Sequence, residues 1–157
     1  MSDDIEQYHR EQASAYLKRV RDAKRHIAAL NAEIEEHRAL ASGLSGIDYA
    51  RVMVTTSPSA DKMPDEVARL IDVIERRCEL VRDYAHMLDE CGAALASLNG
   101  IYADVLRYRY LCDTPWELIA TKTNYSERWL YELHDRALAA FYPYMPAHER
   151  DPLPRAL

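Results

Sequence analysis

Two acid–histidine pairs stand three residues apart, Glu6-x-x-His9 and Asp83-x-x-His86. In helical bundles such pairs supply half of a di-iron site, provided two other helices add carboxylates of their own. Those supporting carboxylates are not evident, so accidental surface spacing is the reading and no metal is expected. Cys78, Cys91 and Cys112 are odd in number and form no C-x-x-C pair. They read as reduced thiols of a cytosolic protein, with Cys78 a small hydrophobe on a helix seam, not as a disulfide frame or zinc site. Gly43, Gly46, Gly92 and Gly100 are too scattered to build a phosphate-cradling loop. No Ser/His/Asp or Cys/His arrangement can be assembled, so no catalysis and no cofactor is expected. What remains is the surface of one helix capped by Ser126. On it Glu127, Arg128, Tyr131 and Glu132 lie opposite Leu130, Ala137 and Leu138.

The elements that carry these residues are helical. In 157 residues there are only four glycines, against many Ala, Leu, Glu and Arg, which disfavours sandwiches and Rossmann-type sheets. Hydrophobic residues make up 48% and charged residues 29%, too apolar for disorder and too charged for a membrane protein. No apolar run approaches the ~20 residues that span a bilayer, and the acidic start Met1-Ser2-Asp3-Asp4 lacks the features of a signal peptide. The net charge of −6 means that any affinity for nucleic acid must come from a local patch.

The stretch from about Ile5 to Ala41 holds no Gly or Pro. Ala13, Val20, Ile27, Ile34 and Ala41 recur every seven residues, and Tyr16, Ala23, Leu30, His37 and Leu44 follow three places later. This a/d seam is weak, with three Ala, one His and one Tyr, and predicts a long helix that needs a partner. Gly43, Gly46, Ser57-Pro58-Ser59 and Pro64 predict a loop over about 43–64, with Val52 and Val54 in a short extended stretch. From Asp65 a second stripe runs through Val67, Ile71, Ile74, Cys78, Val81, Ala85, Leu88, Gly92 and Leu95. The simplest arrangement is an antiparallel hairpin, formed within one chain or exchanged between two.

Beyond Ser97 the pattern changes. Ile101, Val105, Leu106 and Tyr110 mark a helix ending at Cys112-Asp113. Thr114 is placed as an N-cap with Pro115 at the first helical position of a two-turn helix through Trp116, Leu118, Ile119 and Ala120. Thr123-Asn124-Tyr125 breaks it, and Ser126 caps the longer helix. A short helix, a turn of about four residues and a capped helix make a helix-turn-helix. The pattern Val105-Leu106-Arg107-Tyr108-Arg109-Tyr110, Trp116-Glu117-Leu118-Ile119-Ala120, Tyr125-Ser126-Glu127-Arg128 and His134-Asp135-Arg136-Ala137-Leu138 resembles the fourth region of bacterial sigma factors over about forty residues. Together with Val52-Met53-Val54-Thr55-Thr56-Ser57-Pro58-Ser59-Ala60-Asp61-Lys62-Met63 between two long helices, the chain is similar to phage regulators of the ArpU/RinA type.

That resemblance implies a transcription regulator of a phage or prophage, working in the cytoplasm of a bacterial host on promoter DNA. It places Glu127, Arg128, Tyr131 and Glu132 against the duplex. Arg128 would bind a guanine edge bidentately, and Glu127 or Glu132 would accept from a cytosine amino group. Lys122, Arg107, Arg109 and Arg136 are the candidates for phosphate contact, and the backbone N–H groups after Ser126 suit a phosphate as well. Yet Gly100–Tyr142 carries five basic side chains against six acidic ones, so a lone module would hold DNA weakly. Trp129, large and aromatic near the helix start, and Tyr131 suit contact with a protein partner such as RNA polymerase. A DNA-packaging adaptor, which also joins a helix-turn-helix to an oligomerising coiled coil, is a further possibility. His134 is expected to pack or hydrogen-bond and not to act as a titrating switch.

The expected fold is all-α: a helical hairpin over 1–98, a sigma-like helix-turn-helix over 99–142, and a Pro-rich tail over 143–157 that lies over the module or is disordered. A homodimer or higher oligomer through the hairpin is expected, because the stripes are longer than one small module can cover.

Overall fold

The computed structural model describes residues 2–45 and 65–151. The extended stretch at Val52 and Val54, most of the 43–64 loop and the last six residues of the tail lie outside them. The described residues are all-α and contain no strand. Helix α1 spans Ser2–Ser45 and α2 spans Asp65–Ala96. Each opens on two acidic residues, Asp3 and Asp4 in α1 and Asp65 and Glu66 in α2, which favour the positive end of the helix dipole. Gly43 does not end α1 as the sequence suggests. A single interior glycine costs only ~1 kcal/mol, and the helix runs on to Ser45.

Three shorter helices follow: α3 (Gly100–Leu106), α4 (Trp116–Thr123) and α5 (Glu127–Phe141). Asn99 caps α3, its side-chain oxygen accepting from the Ile101 N–H at 3.2 Å. The helix does not run unbroken to Cys112. Arg107–Leu111 widens into a π-turn, and the Cys112 N–H reaches back to the Arg107 carbonyl at 2.8 Å. One residue is thereby inserted into the helical phase, and Tyr110 is turned into the core at 3% exposure.

The chain divides into two compact bodies. One holds the residues up to Lys24 together with those from His86 onward, so the expected boundary near 98 does not separate packed units. Its core joins Ala13, Tyr16, Leu17 and Val20 of α1 to Cys91 and Leu95 of α2, Leu106 and Tyr110, and Ala137, Leu138 and Phe141 of α5. The Tyr16 and Phe141 rings stack with centroids 6.2 Å apart. Tyr142–Tyr144 and Ala147–Glu149 form short 3-10 turns, and Met145 between them is buried in the same core. Arg19 pairs with Glu149 at 2.6 Å, and the Tyr8 hydroxyl donates to the Asp151 carbonyl at 3.0 Å. The described part of the tail thus lies against α1.

The other body is Arg25–Ala85. Its contacts pair His26 with Tyr84, Glu33 with Arg77 and Ala41 with Val67, so the two helical segments run antiparallel there. Ile34, Ala41, Val67 and Ile74 are buried, but Ile27, Leu30, His37, Ile71, Cys78 and Val81 of the same stripes are only half-buried. Leu44 is 53% exposed.

Candidate nucleic-acid interface

Helix α4 begins one residue later than expected. Pro115 holds an extended ψ of 154° and stands at the cap position, its carbonyl accepting from the Leu118 and Ile119 N–H groups, both at 3.1 Å. Thr114 precedes a proline, a position biased toward extended backbone. It is buried and serves as a strut instead of a cap. Its N–H donates to the Tyr108 carbonyl at 2.9 Å, and its carbonyl accepts from Arg109 Nη1 at 3.2 Å. Asn124 ends α4 in the left-handed region at φ 57°, which a short polar side chain tolerates. Ser126 then caps α5 as expected, its Oγ accepting from the Trp129 N–H at 3.2 Å.

A second core fixes the angle between these helices: Val105, Ile119, Leu130 and Leu133, with Trp116 and Ala120 packed against them. The small Ala120 stands where α4 and α5 approach. Opposite this core, Ser126, Glu127, Arg128, Tyr131 and Glu132 are all exposed. The Arg128 side chain is 90% exposed, with Nε 3.5 Å from Glu132 Oε1. An ion pair so open to water contributes ~0–1 kcal/mol, so Arg128 is held loosely and its donors remain accessible.

The other cations are engaged to differing degrees. Arg109 is half-buried, with its guanidinium 5.2 Å from the Trp116 ring centre and bonded to the Thr114 carbonyl. It braces the turn. Arg107 is also half-buried, within the π-turn. Lys122 is exposed, its ammonium 5.5 Å from the Tyr108 ring centre. Arg136 is exposed and lies 5.6 Å from the ring centre of Trp129, itself 38% exposed. The outward set is therefore Lys122, Arg128 and Arg136 with Tyr131, and the inward set is Arg107 and Arg109.

His134 sits behind the outer face. Its Nε2 lies 3.0 Å from the Tyr110 hydroxyl, and its ring packs edge-on against Trp116 at 5.1 Å. Burial holds its pKa down at about 4, so it is neutral at pH 7, the packing and bonding role expected of it. A groove of about 540 Å³ beside it is lined by Arg10, Ser14 and Lys18 of α1 and by Asp135 and Leu138 of α5. The sequence reading missed Arg10 and Lys18. The heptad pattern identifies which face of α1 is apolar, but not which later helix that face meets.

Among the described residues no group of three or more His, Cys, Asp or Glu is placed to hold a metal, and none of their helices is long and apolar enough to cross a membrane. Comparison of the chain with family profiles, curated proteins and solved structures finds no match.

Proposed function

We propose that the chain is a transcription regulator of the phage ArpU/RinA type that binds duplex DNA through α4, the Asn124 turn and α5. The observation that carries this reading is the outer face of α5. It is capped and backed by its own core, and it projects Arg128 almost fully into solvent, beside Tyr131 and Glu132. An exposed guanidinium on the first turns of such a helix suits a guanine edge, and the first-turn N–H groups of Glu127 and Arg128 suit a phosphate. Lys122 and Arg136 flank the face as phosphate contacts. With so few cations the binding is weak per subunit and depends on pairing.

Titration of pooled duplex promoter fragments at several salt concentrations tests this. The expected slope of log affinity against log salt is about −3 per subunit, at ~0.9 for each phosphate neutralised. Arg128→Ala is expected to lower discrimination between specific and random duplex by ~1–3 kcal/mol, and Lys122→Ala to weaken both about equally. Equal losses for both variants remove Arg128 from base recognition.

A second reading, a module that holds RNA polymerase or another protein, is favoured by the exposed apolar residues around the turn: Leu118 at 44%, Tyr125 at 39%, Trp129 at 38% and Tyr131 at 48%. Aromatic residues of this kind are enriched at binding hot spots. This reading predicts no DNA affinity at 50 mM salt and a large loss of partner binding on Trp129→Ala.

A further inference from the structure

We propose that a second copy of this chain covers one face of the Arg25–Ala85 body, in a two-fold contact centred on the Glu33–Arg77 ion pair. The proposal concerns that body alone and does not rest on DNA binding.

The two faces of the body differ. At about 100° per residue, Leu30, Glu33, His37, Leu40 and Leu44 line one flank of the buried seam of α1. In the antiparallel arrangement, Leu70, Val73, Arg77, Leu80 and Tyr84 of α2 fall on the same side, with the exposed Glu66 at its end. Two observed contacts fix this geometry, because Glu33–Arg77 and the His26–Tyr84 stack both lie on that flank. Leu40 and Leu44 are each 53% exposed and Leu80 is 47% exposed. The opposite flank carries Asn31, Glu35, Arg38, Ser42, Glu75 and Arg82, with Ile71 and Cys78 half-buried at its edge.

The occupant follows from the arrangement of charge and size along the apolar flank. Its centre is one ion pair, Arg77 Nε to Glu33 Oε2 at 2.5 Å, with the side chains 31% and 47% exposed. A second, different protein would have to supply one opposite charge for each of these. A second copy supplies both at once, because a two-fold axis through the pair sets Arg77 of each copy against Glu33 of the other. The same axis, which runs parallel to the helices, sets Leu80, one turn from Arg77, against Leu30 of the second copy, one turn from Glu33 at the same level. Leu40, two turns from Glu33, then meets Leu70 of the second copy, two turns from Arg77. The area suffices. Helical segments of about twenty residues are roughly 30 Å long and two side by side are roughly 20 Å wide. The pair of faces buries roughly 1,200 Å², the lower end of the range for stable complexes.

Sedimentation equilibrium of the full chain tests the proposal. The wild type is expected to be a dimer at micromolar concentration, and a monomer at every concentration up to about 0.1 mM overturns it. Leu40→Lys with Leu80→Lys, at exposed positions that leave the helices intact by circular dichroism, is expected to weaken the dimer at least a hundredfold. A dimer that survives this double substitution overturns the assigned face. Glu33→Arg places two cations on the face and Arg77→Glu places two anions there. Each variant alone is expected to sediment as a monomer, and an equimolar mixture as a heterodimer. If either variant dimerises alone as tightly as the wild type, or the mixture stays monomeric, the ion pair is not at the centre of the contact.

Discussion

The Tyr110 hydroxyl meets His134 Nε2 at 3.0 Å, joining the π-turn to the middle of α5 from behind the outer face. The ring depends on its neutrality. Its pKa is held at about 4, chiefly by burial, with Asp135 pulling it up and Arg109 and Lys18 pushing it down. The unfolded chain binds a proton at His134 near pH 6.5 and the folded chain does not, so stability falls as pH drops from about 6.5 toward 4. At pH 5 the expected loss is about 2 kcal/mol relative to pH 7. Urea denaturation of the wild type and of His134→Gln at both pH values checks this, and an equal pH dependence in the two removes His134 as its source.

Arg109 is expected to affect folding more than DNA affinity. Arg109→Ala removes the Trp116 contact and the bond to the Thr114 carbonyl, and is expected to cost about 1–2 kcal/mol. Arg109→Lys restores little of this, because an ammonium cannot stack its plane on the indole. Denaturation midpoints of both variants decide it. A wild-type midpoint for Arg109→Ala contradicts the bracing role.

Two positions of one heptad column are expected to respond differently to charge. Val20 is fully buried in the body that holds the C-terminal helices, whereas Ile27, the next a position, is half-buried in the other body. Val20→Asp is expected to cost more than about 4 kcal/mol and Ile27→Asp markedly less. Chemical denaturation of the two variants side by side is the measurement.

The three cysteines are expected to separate by reactivity. Cys91 is fully buried, and burial pushes its thiol up to about 12, although Arg107 pulls the other way. Cys112 is exposed and Cys78 half-buried. In native protein at pH 8, Cys112 is expected to be alkylated first and Cys91 more than about a hundredfold more slowly. Mass-spectrometric mapping of the labelled sites follows the order, and rapid labelling of Cys91 without denaturant contradicts the packing.

The helical class, the burial of Ala13, Tyr16 and Val20, the Ser126 cap and the outward face of Arg128 and Tyr131 were legible because each follows from spacing or from one side chain's local bond. The start of α4 at Trp116 was not, because Thr114 and Pro115 both suit a helix start and the choice between them lies in the bonds to Tyr108 and Arg109. The π-turn leaves no mark in the apolar pattern either, since one inserted residue resembles ordinary irregularity near a helix end. Whether a cation points outward depends on its surroundings in the fold, since Lys122 and Arg136 stay exposed beside rings of their own. Trp116 holds Arg109 inward, and nothing in the residue types of Arg107, Arg109 and Lys122 distinguishes them.

The body that unites residues up to Lys24 with those from His86 onward has a consequence for biosynthesis. Ala13, Tyr16, Leu17 and Val20 pack on Ala137, Leu138 and Phe141, which leave the ribosome more than a hundred residues later. At ~5–20 residues per second, the apolar face of the early helix waits roughly 6 to 25 seconds for the surface that covers it. Apolar surface left open for that long is aggregation-prone until α5 is made.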